Sequence, residues 1–146
     1  MGNRIVVLDK GVVRQIGTPR EVYDEPADTF VATFLGSPPM NLLEDTEFVA
    51  GFRPESVVPA TMVHGPSAPI RLRIELVEYL GSERILHGVL EGGRFGGRKV
   101  VSRVSTAASG ELREGTVHDF AVPESEVKFF DRATGKRAAP RELSWR

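Results

Sequence analysis

The sequence predicts a mainly β fold with a small mixed α+β part at its N-terminus. Three observations support this: an apolar run at Ile5–Leu8 before a glycine turn, a strict period of two from Ile70 to Leu76, and several short apolar segments divided by glycine or proline. Short strands at this spacing are typical of a small β-barrel or β-sandwich. With 146 residues, 40% of them hydrophobic, the chain can form one ordinary domain, or a small domain and part of another.

The composition excludes several kinds of site. Lys and Arg total 19 against 20 Asp and Glu, so a net charge of −1 gives no overall field that would attract nucleic acid or anionic lipid. The chain has no cysteine, which excludes disulfides, thiolate nucleophiles and cysteine-bound metals and fits a cytoplasmic protein. No apolar run approaches the roughly 20 residues of a membrane-spanning helix, so we expect no direct membrane insertion.

The N-terminal segment predicts a β-hairpin and two short helices. Asp9-Lys10-Gly11 would turn an apolar strand, expected to be covered on both faces, back into a second strand. Thr18-Pro19-Arg20-Glu21 has the form of a capping box, which predicts a helix from Pro19 to about Asp24. Beyond Pro26, a second helix that Gly36 would cap places four apolar side chains on one buried face: Phe30, Val31, Phe34 and Leu35.

Beyond the extended connector Ser37-Pro38-Pro39, which predicts a boundary, the sequence predicts strands. Apolar residues from Ile70 to Leu76 alternate with charged ones, and the change of phase at Val77 predicts a bulge. Gly81-Ser82 predicts a turn. Further strands are predicted at 84–90, 100–104, 120–122 and 127–130.

Many short stretches, in order along the chain, resemble one family. They are Arg4–Leu8, Gly17–Pro19, Glu21–Tyr23, Phe30–Ala32, Phe34–Pro38, Met40-Asn41, Gly51–Glu55, Val77–Glu83, Val122-Pro123 and Phe130–Arg137. Together they resemble the C-terminal part of the ATP-binding subunit of sugar-importing ABC transporters. The resemblance implies that residues 1–43 are the C-terminal remnant of an ABC nucleotide-binding domain. It implies that residues 44–146 are a TOBE domain, an OB-like regulatory β-barrel.

The resemblance carries two departures from the family. Met1 would correspond to an internal methionine, and all ATP-site motifs would lie upstream of it, so we expect this chain to have no catalytic residue and no cofactor. ATP and magnesium would belong to the full-length family. Only seven residues, 44–50, stand where the family has its opening strands, so we expect a barrel that lacks its first strands. Open sheet edges invite pairing with another chain, which favours a homodimer.

By this resemblance, the chain is a shortened subunit of an importer for sugars or related solutes that keeps the regulatory and dimerisation domain. Transporter membrane subunits would dock on the nucleotide-binding portion, and the protein would be cytoplasmic and peripheral to the inner face of the cell membrane. The candidate regulatory or interface residues are Gly51, Arg53, Pro54, Glu55, Gly81, Ser82 and Glu83. For Arg53-Pro54-Glu55, a structural turn held by an ion pair is favoured over a regulatory contact surface.

A free-standing barrel that binds an oxyanion such as molybdate is the alternative function. Ser82 and Arg84 supply a hydroxyl and a cation for it, although Glu83 would repel an anion. Gly92 and Gly97 have phosphate-loop spacing, but Arg98 follows them and no hydroxyl residue follows Lys99, so we predict a flexible hairpin link.

Two other kinds of site have weak sequence support. Phe95 among basic residues is compatible with a nucleic-acid surface, but one aromatic side chain is thin support and we expect no nucleic-acid partner. His64, His87 and His118 lack the spacing of metal ligands, so no metal site is predicted, and we expect His87 to be hydrogen-bonded or exposed at a sheet edge.

Overall fold

A computed structural model describes residues 3–110 and 112–142, and these divide into two compact units. The first contains the chain up to Gly51 together with Lys128–Arg141, and the second contains Phe52–Val127. The predicted mainly β class with a small helical part is confirmed. The division after residue 43 stays a prediction about family architecture, and it lies inside the first unit.

The described elements follow one another in this order: β1 (Ile5–Asp9), β2 (Val12–Gly17), α1 (Pro19–Asp24), α2 (Thr29–Phe34), β3 (Asn41–Glu44), β4 (Phe48–Phe52), β5 (Val58–Pro59), β6 (Ser67–Leu80), β7 (Glu83–Leu90), β8 (Lys99–Ser105), α3 (Thr106–Ser109), β9 (Val117–Pro123), β10 (Lys128–Asp131) and β11 (Arg137–Ala138). Single 3-10 turns lie at Pro54–Ser56, Ala60–Met62 and Glu124–Glu126.

The predicted hairpin and the first helix of the first unit are confirmed. β1 and β2 pair in antiparallel fashion through Lys10 and Gly11, whose φ angles of 51° and 81° fit the left-handed turn. At α1 the capping box is complete: the Glu21 amide donates to Thr18 Oγ1 at 3.1 Å, and the Thr18 amide donates to Glu21 Oε1 at 3.4 Å.

The second helix differs from its prediction in detail. Asp28 caps its start, because the Val31 amide donates to Asp28 Oδ1 at 2.8 Å. Leu35 is the C-cap, and Gly36, with φ 98°, follows it. The prediction of a single buried face was wrong for Phe34, which is 56% exposed. The centre of its ring lies 5.7 Å from that of the Phe30 ring.

The C-terminal strands join the N-terminal segment in a sheet of order β11-β10-β4-β3 within the first unit. Phe129 pairs with Ala50 and Phe130 with Val49. Phe130, fully buried, packs with Val49, Ala32 and Met40. The sequence predicted no strand between 41 and 52, where the structure has β3 and β4; the absence of family strands stays a prediction.

The second unit contains a sheet of order β5-β9-β6-β7-β8, in which all neighbours are antiparallel. The predicted alternation of β6 is confirmed for Ile70, Leu72 and Ile74, which are buried between exposed charged residues, and was wrong for Leu76. The predicted bulge is also confirmed, between Ile74 and Leu76. It turns Val77 inward and leaves Leu76 half exposed.

This sheet curls until its two edge strands meet. The Ser102 hydroxyl in β8 is fully buried and donates to the carbonyl of Val57, which precedes β5, at 2.5 Å. Four fully buried side chains fill the inside: Phe52, Leu72, Leu86 and Phe120. The curl is what the prediction of a small barrel requires.

The glycine-rich link between β7 and β8 is more compact than predicted. Phe95 is 3% exposed, so it anchors the link in the unit instead of standing in solvent. Two backbone bonds close the link, from the Gly97 amide to the Leu90 carbonyl at 2.8 Å and from the Arg98 amide to the Phe95 carbonyl at 3.1 Å. The prediction of a flexible, solvated hairpin was therefore wrong at this point.

Candidate interaction surfaces

Gly51, the first predicted interface residue, lies inside the first unit and not at its surface. An added Cβ there would lie 2.7 Å from Met40 Sδ, and 3.1 Å from both a methyl carbon of Leu42 and a ring carbon of Phe130. Such distances require the neighbours to move. Gly51 therefore permits close packing of β4, and its role as an interface residue stays a prediction.

The stretch Arg53-Pro54-Glu55 forms the structural turn that the sequence predicted. The Ser56 amide donates to the Arg53 carbonyl at 3.0 Å, and the Val57 amide donates to the Pro54 carbonyl at 3.2 Å. Arg53 and Pro54 are buried, whereas Glu55 is exposed. Of these three residues, Glu55 alone presents its side chain to a partner, and a regulatory role for the stretch stays a prediction.

Gly81, Ser82 and Glu83 form the exposed tip of the β6–β7 hairpin in the second unit. Gly81, with φ 64°, makes the turn, and both Gly81 and Ser82 accept hydrogen bonds from Thr106, at 3.0 and 2.8 Å. The tip is thus tied to α3. Its role in binding a regulator stays a prediction.

Large side chains beside this tip were missed by sequence analysis. Tyr79 is 69% exposed and Leu80 is 55% exposed, and the Arg84 guanidinium lies 4.9 Å from the centre of the Tyr79 ring. The bulge in β6 changes which side chains face outward, so a period-two pattern read straight through it gives the wrong faces. An aromatic and an apolar side chain next to a tight turn are typical of protein contact surfaces.

The hairpin of the first unit has one covered face and one open face. Val7 points to the covered side, where it packs with Val22 and Val31. The other side carries four apolar side chains that are 51–54% exposed: Val6 opposite Ile16, and Leu8 opposite Val13. We call these four residues the open hairpin face. The described residues cover one face of β1, and the cover expected on its other face stays a prediction.

A second surface of the first unit is formed by residues 128–138, which we call the C-terminal clasp because they hold the connection between α1 and α2. The Arg137 amide donates to the Ala27 carbonyl at 2.8 Å, and the Thr29 amide donates to the Gly135 carbonyl at 2.9 Å. At Gly135 an added Cβ would lie 2.8 Å from Thr29 Oγ1, so the close approach requires glycine. The clasp thereby fixes the end of the connection that leads into α2.

Ion pairs and a tight turn complete the clasp. Glu25 binds Arg137 at 2.8 Å and Lys128 at 3.4 Å. The Asp131 side chain accepts the amides of Ala133 and Thr134, each at 2.9 Å. The stretch Phe130–Arg137 contributed to the family resemblance, but the sequence offered no signal for what it would contact.

Two carboxylates of the clasp have shifted acidity. Slight burial raises the pKa of Glu25, but Arg137 and Lys128 outweigh it and hold the pKa below its usual 4.5. The Thr134 amide, joined by that of Ala133 and opposed by slight desolvation, lowers the pKa of Asp131 below its usual 3.8. A lowered folded-state pKa means that each group stabilises the fold above its usual pKa and loses this effect as the pH falls through the lowered value.

We expect Glu25→Gln to lower the free energy of unfolding at neutral pH by no more than about 1 kcal/mol, because the Glu25 side chain is 59% exposed and solvent screens its ion pairs. The difference from the wild type should shrink as the pH falls below 4.5. Urea unfolding across this pH range measures it. The matched control is Glu126→Gln, an exposed change outside the clasp; an equal pH dependence for both variants would contradict the assignment.

The structure gives little support to the nucleic-acid surface and the oxyanion site that the sequence offered as alternatives. Phe95 is buried, so its ring is not available for stacking on a base. In the stretch proposed for an oxyanion, Ser82–Arg84, the one cation, Arg84, already lies over the Tyr79 ring. The carboxylate of the same stretch, Glu83, lies 3.9 Å from Arg103.

The histidines have local partners where the structure shows them. His87 Nε2 lies 2.7 Å from Glu78 Oε1, which agrees with the expectation of a hydrogen-bonded residue. His118 Nε2 lies 2.8 Å from the Thr116 hydroxyl. Within residues 3–110 and 112–142, no group of three or more His, Asp or Glu residues is arranged to hold a metal ion. In the same part of the chain, no helix is long and apolar enough to span a membrane.

Comparisons with curated proteins give similarity to ATP-binding proteins of import systems. The chain is 35% identical over 171 residues to the trehalose/maltose import ATP-binding protein MalK of Thermococcus litoralis, covering 93% of this chain and 44% of the relative. It is 38% identical over 164 residues to the sn-glycerol-3-phosphate import ATP-binding protein UgpC of Ruegeria pomeroyi, covering 95% and 43%. It is 30% identical over 168 residues to UgpC of Yersinia pestis, covering 96% and 44%.

The chain thus spans less than half the length of these relatives, and it matches their C-terminal region. No family model matches it. Among solved structures, it is similar to the cytoplasmic molybdate-binding protein ModG, with 19% identity, a TM-score of 0.45, and coverage of 56% of this chain and 60% of ModG.

Proposed function

Since the chain is homologous to the C-terminal region of the ATP-binding subunits of sugar-importing ABC transporters, as its motifs predicted, we propose that it is the regulatory region of an import ATPase. It acts through protein contacts and performs no chemistry of its own. Its transporter imports a sugar or a related solute, the solute class named for the relatives.

The observation that carries this proposal is the open hairpin face. Val6, Leu8, Val13 and Ile16 are about half exposed, and covering each would contribute roughly 1 kcal/mol, or roughly 4 kcal/mol in total. Clustered apolar side chains of this kind are typical of surfaces that meet another protein segment. The nucleotide-binding portion of an import ATPase is the partner that the homology supplies for this face.

The clasp gives the proposed region a way to act on that portion. The α1–α2 connection is bonded to the hairpin, because Gln15 of β2 donates to the Glu25 carbonyl at 3.0 Å and accepts from the Ala27 amide at 2.8 Å. Residues 128–138 hold the same connection through backbone bonds and the Glu25 ion pairs. A regulator that moves the clasp would therefore move the segment next to the hairpin. This is a proposal of coupling through contiguous contacts.

Other partners follow from the same proposal. ATP and magnesium bind the nucleotide-binding portion, the transporter's membrane subunits dock there, and the region works in the cytoplasm at the inner face of the membrane. Two copies pair through the regulatory domain, because open sheet edges invite pairing with another chain. A light-scattering concentration series that gives only monomer would remove the homodimer from this proposal.

The experiment is a chimera in which this chain replaces the matched C-terminal region of the Ruegeria pomeroyi subunit, which is 38% identical to it. We expect the chimera to fold and to hydrolyse ATP with magnesium, and the 146-residue chain alone to show no ATPase activity. Hydrolysis by the pure chain alone, or a chimera that folds but is inactive, would contradict the proposed function. Calorimetric titration of the chain with molybdate tests the alternative, and saturable binding would favour it.

A further inference from the structure

A bulge in β2 aims two adjacent polar side chains, Arg14 and Gln15, at the same segment of the first unit. The register between β1 and β2 shifts at this point, which makes Arg14 the extra residue of β2. Neighbouring side chains of a regular strand point to opposite faces, whereas a bulge re-aims one of them. Arg14 and Gln15 therefore both reach residues 25–28, which connect α1 to α2, while Val13 and Ile16 on either side belong to the open hairpin face.

Arg14 joins the turn of the hairpin to the start of α2. Its Nη1 lies 2.9 Å from Asp9 Oδ2, and its Nε donates to Asp28 Oδ2 at 2.8 Å. Asp28 is 6% exposed, and its other oxygen accepts the Val31 amide that begins α2. A buried carboxylate that loses such a partner keeps an unsatisfied charge, so the arrangement resists change. Arg14 thus ties the position of the hairpin turn to that of α2.

Gln15 binds the α1–α2 connection as a neighbouring strand would. Its side-chain NH₂ donates to the Glu25 carbonyl at 3.0 Å, and its side-chain oxygen accepts the Ala27 amide at 2.8 Å. The C-terminal clasp binds the same residue, because the Ala27 carbonyl accepts the Arg137 amide at 2.8 Å. Ala27 therefore links the hairpin on one side to the clasp on the other through its own amide and carbonyl.

The remaining contacts of the hairpin with the helices are apolar. On the covered face, Val7 packs with Val22 and Val31. Apolar contacts are non-directional, so they persist when the packed surfaces slide by a small amount. Hydrogen bonds weaken when their distance or angle changes. A displacement of the α1–α2 connection therefore reaches the hairpin chiefly through Arg14 and Gln15.

We propose that Arg14 and Gln15 are positioning residues that transmit movement of the C-terminal clasp to the open hairpin face. In the transporter, a protein that displaces the clasp shifts this face against the nucleotide-binding portion and so changes the rate of ATP hydrolysis. That consequence rests on the proposed function. The coupling between clasp and hairpin is a property of this chain alone, and it can be measured without the transporter.

The test is a double-mutant cycle on the isolated 146-residue chain. Arg14→Met with Gln15→Met removes the polar contacts and keeps the length of both side chains. Gly135→Ala strains the clasp, because the added Cβ would lie 2.8 Å from Thr29 Oγ1. Hydrogen exchange at the amides of β1 and β2 is the measurement. We expect Gly135→Ala to speed this exchange at least about fivefold with Arg14 and Gln15 present, and less than about twofold without them.

The matched control is Arg20→Met, which removes the ion pair of an arginine in α1 whose side chain is 91% exposed. It should leave the effect of Gly135→Ala unchanged. Equal effects of Gly135→Ala with and without Arg14 and Gln15 would overturn the proposal, because residues with a purely structural role give additive changes. No effect in either background would overturn it as well. If Gly135→Ala does not fold, Arg137→Met loosens the clasp in its place by removing the 2.8 Å ion pair with Glu25.

The same cycle in the chimera with the Ruegeria pomeroyi subunit separates this proposal from the proposed function. We expect Gly135→Ala to change the ATPase rate at least about threefold, and to leave it unchanged when Arg14 and Gln15 are replaced. Coupled exchange in the isolated chain with no change in ATPase rate would contradict the proposed function and support the transmission. Additive exchange in the isolated chain, with the open hairpin face buried in the chimera, would overturn the transmission and support the proposed function.

Discussion

Phe130→Ala is expected to lower the free energy of unfolding by about 3–5 kcal/mol. Phe130 lies in β10, is fully buried, and packs with Val49, Ala32 and Met40 of the N-terminal segment. Its ring also lies 3.1 Å from the position that a Cβ on Gly51 would take, so the surrounding packing is tight and a cavity would close poorly. Urea unfolding followed by circular dichroism measures the change.

The matched control for this variant is Phe34→Ala. Phe34 is the same residue type in the same unit, but it is 56% exposed and its main contact is the ring of Phe30. We expect it to cost less than about 1.5 kcal/mol. If the two variants lost equal stability, β10 would not be an integral part of the first unit.

The second large effect is expected at the open hairpin face. In the chimera with the Ruegeria pomeroyi subunit, Val13→Glu combined with Ile16→Glu should abolish ATPase activity. The change removes the burial of two apolar side chains and places two carboxylates in an apolar contact, at a cost of several kcal/mol. Protein stabilities are about 5–15 kcal/mol, so this is enough to separate or unfold the contact. ATP hydrolysis by the purified chimera measures it.

In the isolated chain the same double change should leave stability within about 1 kcal/mol of the wild type, because both positions are more than half exposed there. Val117→Glu supplies the control in the chimera, since Val117 is an apolar residue, 43% exposed, in the second unit. Full ATPase activity in the double variant would show that the open hairpin face makes no contact with the nucleotide-binding portion of the chimera.

Local elements were predictable because their signals lie within a few residues of each other. The capping box at Thr18 and Glu21 and the glycine turn at Lys10-Gly11 determine their own geometry. The alternation of apolar and charged residues along β6 likewise predicts which side chains are buried, as far as the bulge. The family resemblance rested on many such short motifs, and the comparisons confirmed it.

Contacts between distant residues were not predictable from these patterns. Nothing in the stretch around Val49 and Ala50 indicates that its partners are Phe129 and Phe130, near the other end of the chain. Both pairing and burial there depend on how the whole chain returns to its N-terminal segment. The clasp was missed for the same reason, although the stretch Phe130–Arg137 within it was part of the family resemblance.

Among the predicted interface residues, burial separates those that can reach a partner from those that cannot. Gly51 and Pro54 serve packing and a turn, whereas Glu55 and Glu83 are exposed. A motif shows that residue types recur in a family, but it does not say whether they recur for packing or for contact. That distinction needs the three-dimensional neighbours of each side chain.

The proposed function requires the open hairpin face to lie against the nucleotide-binding portion of an import ATPase. The chain has no cysteine, so a single Val13→Cys reports this face by its rate of maleimide labelling, read by mass spectrometry on that peptide. We expect maleimide to label Val13→Cys fast in the isolated chain and at least about tenfold more slowly in the chimera. Val117→Cys should react at the same rate in both proteins. Equal labelling of Val13→Cys in the two proteins would contradict it.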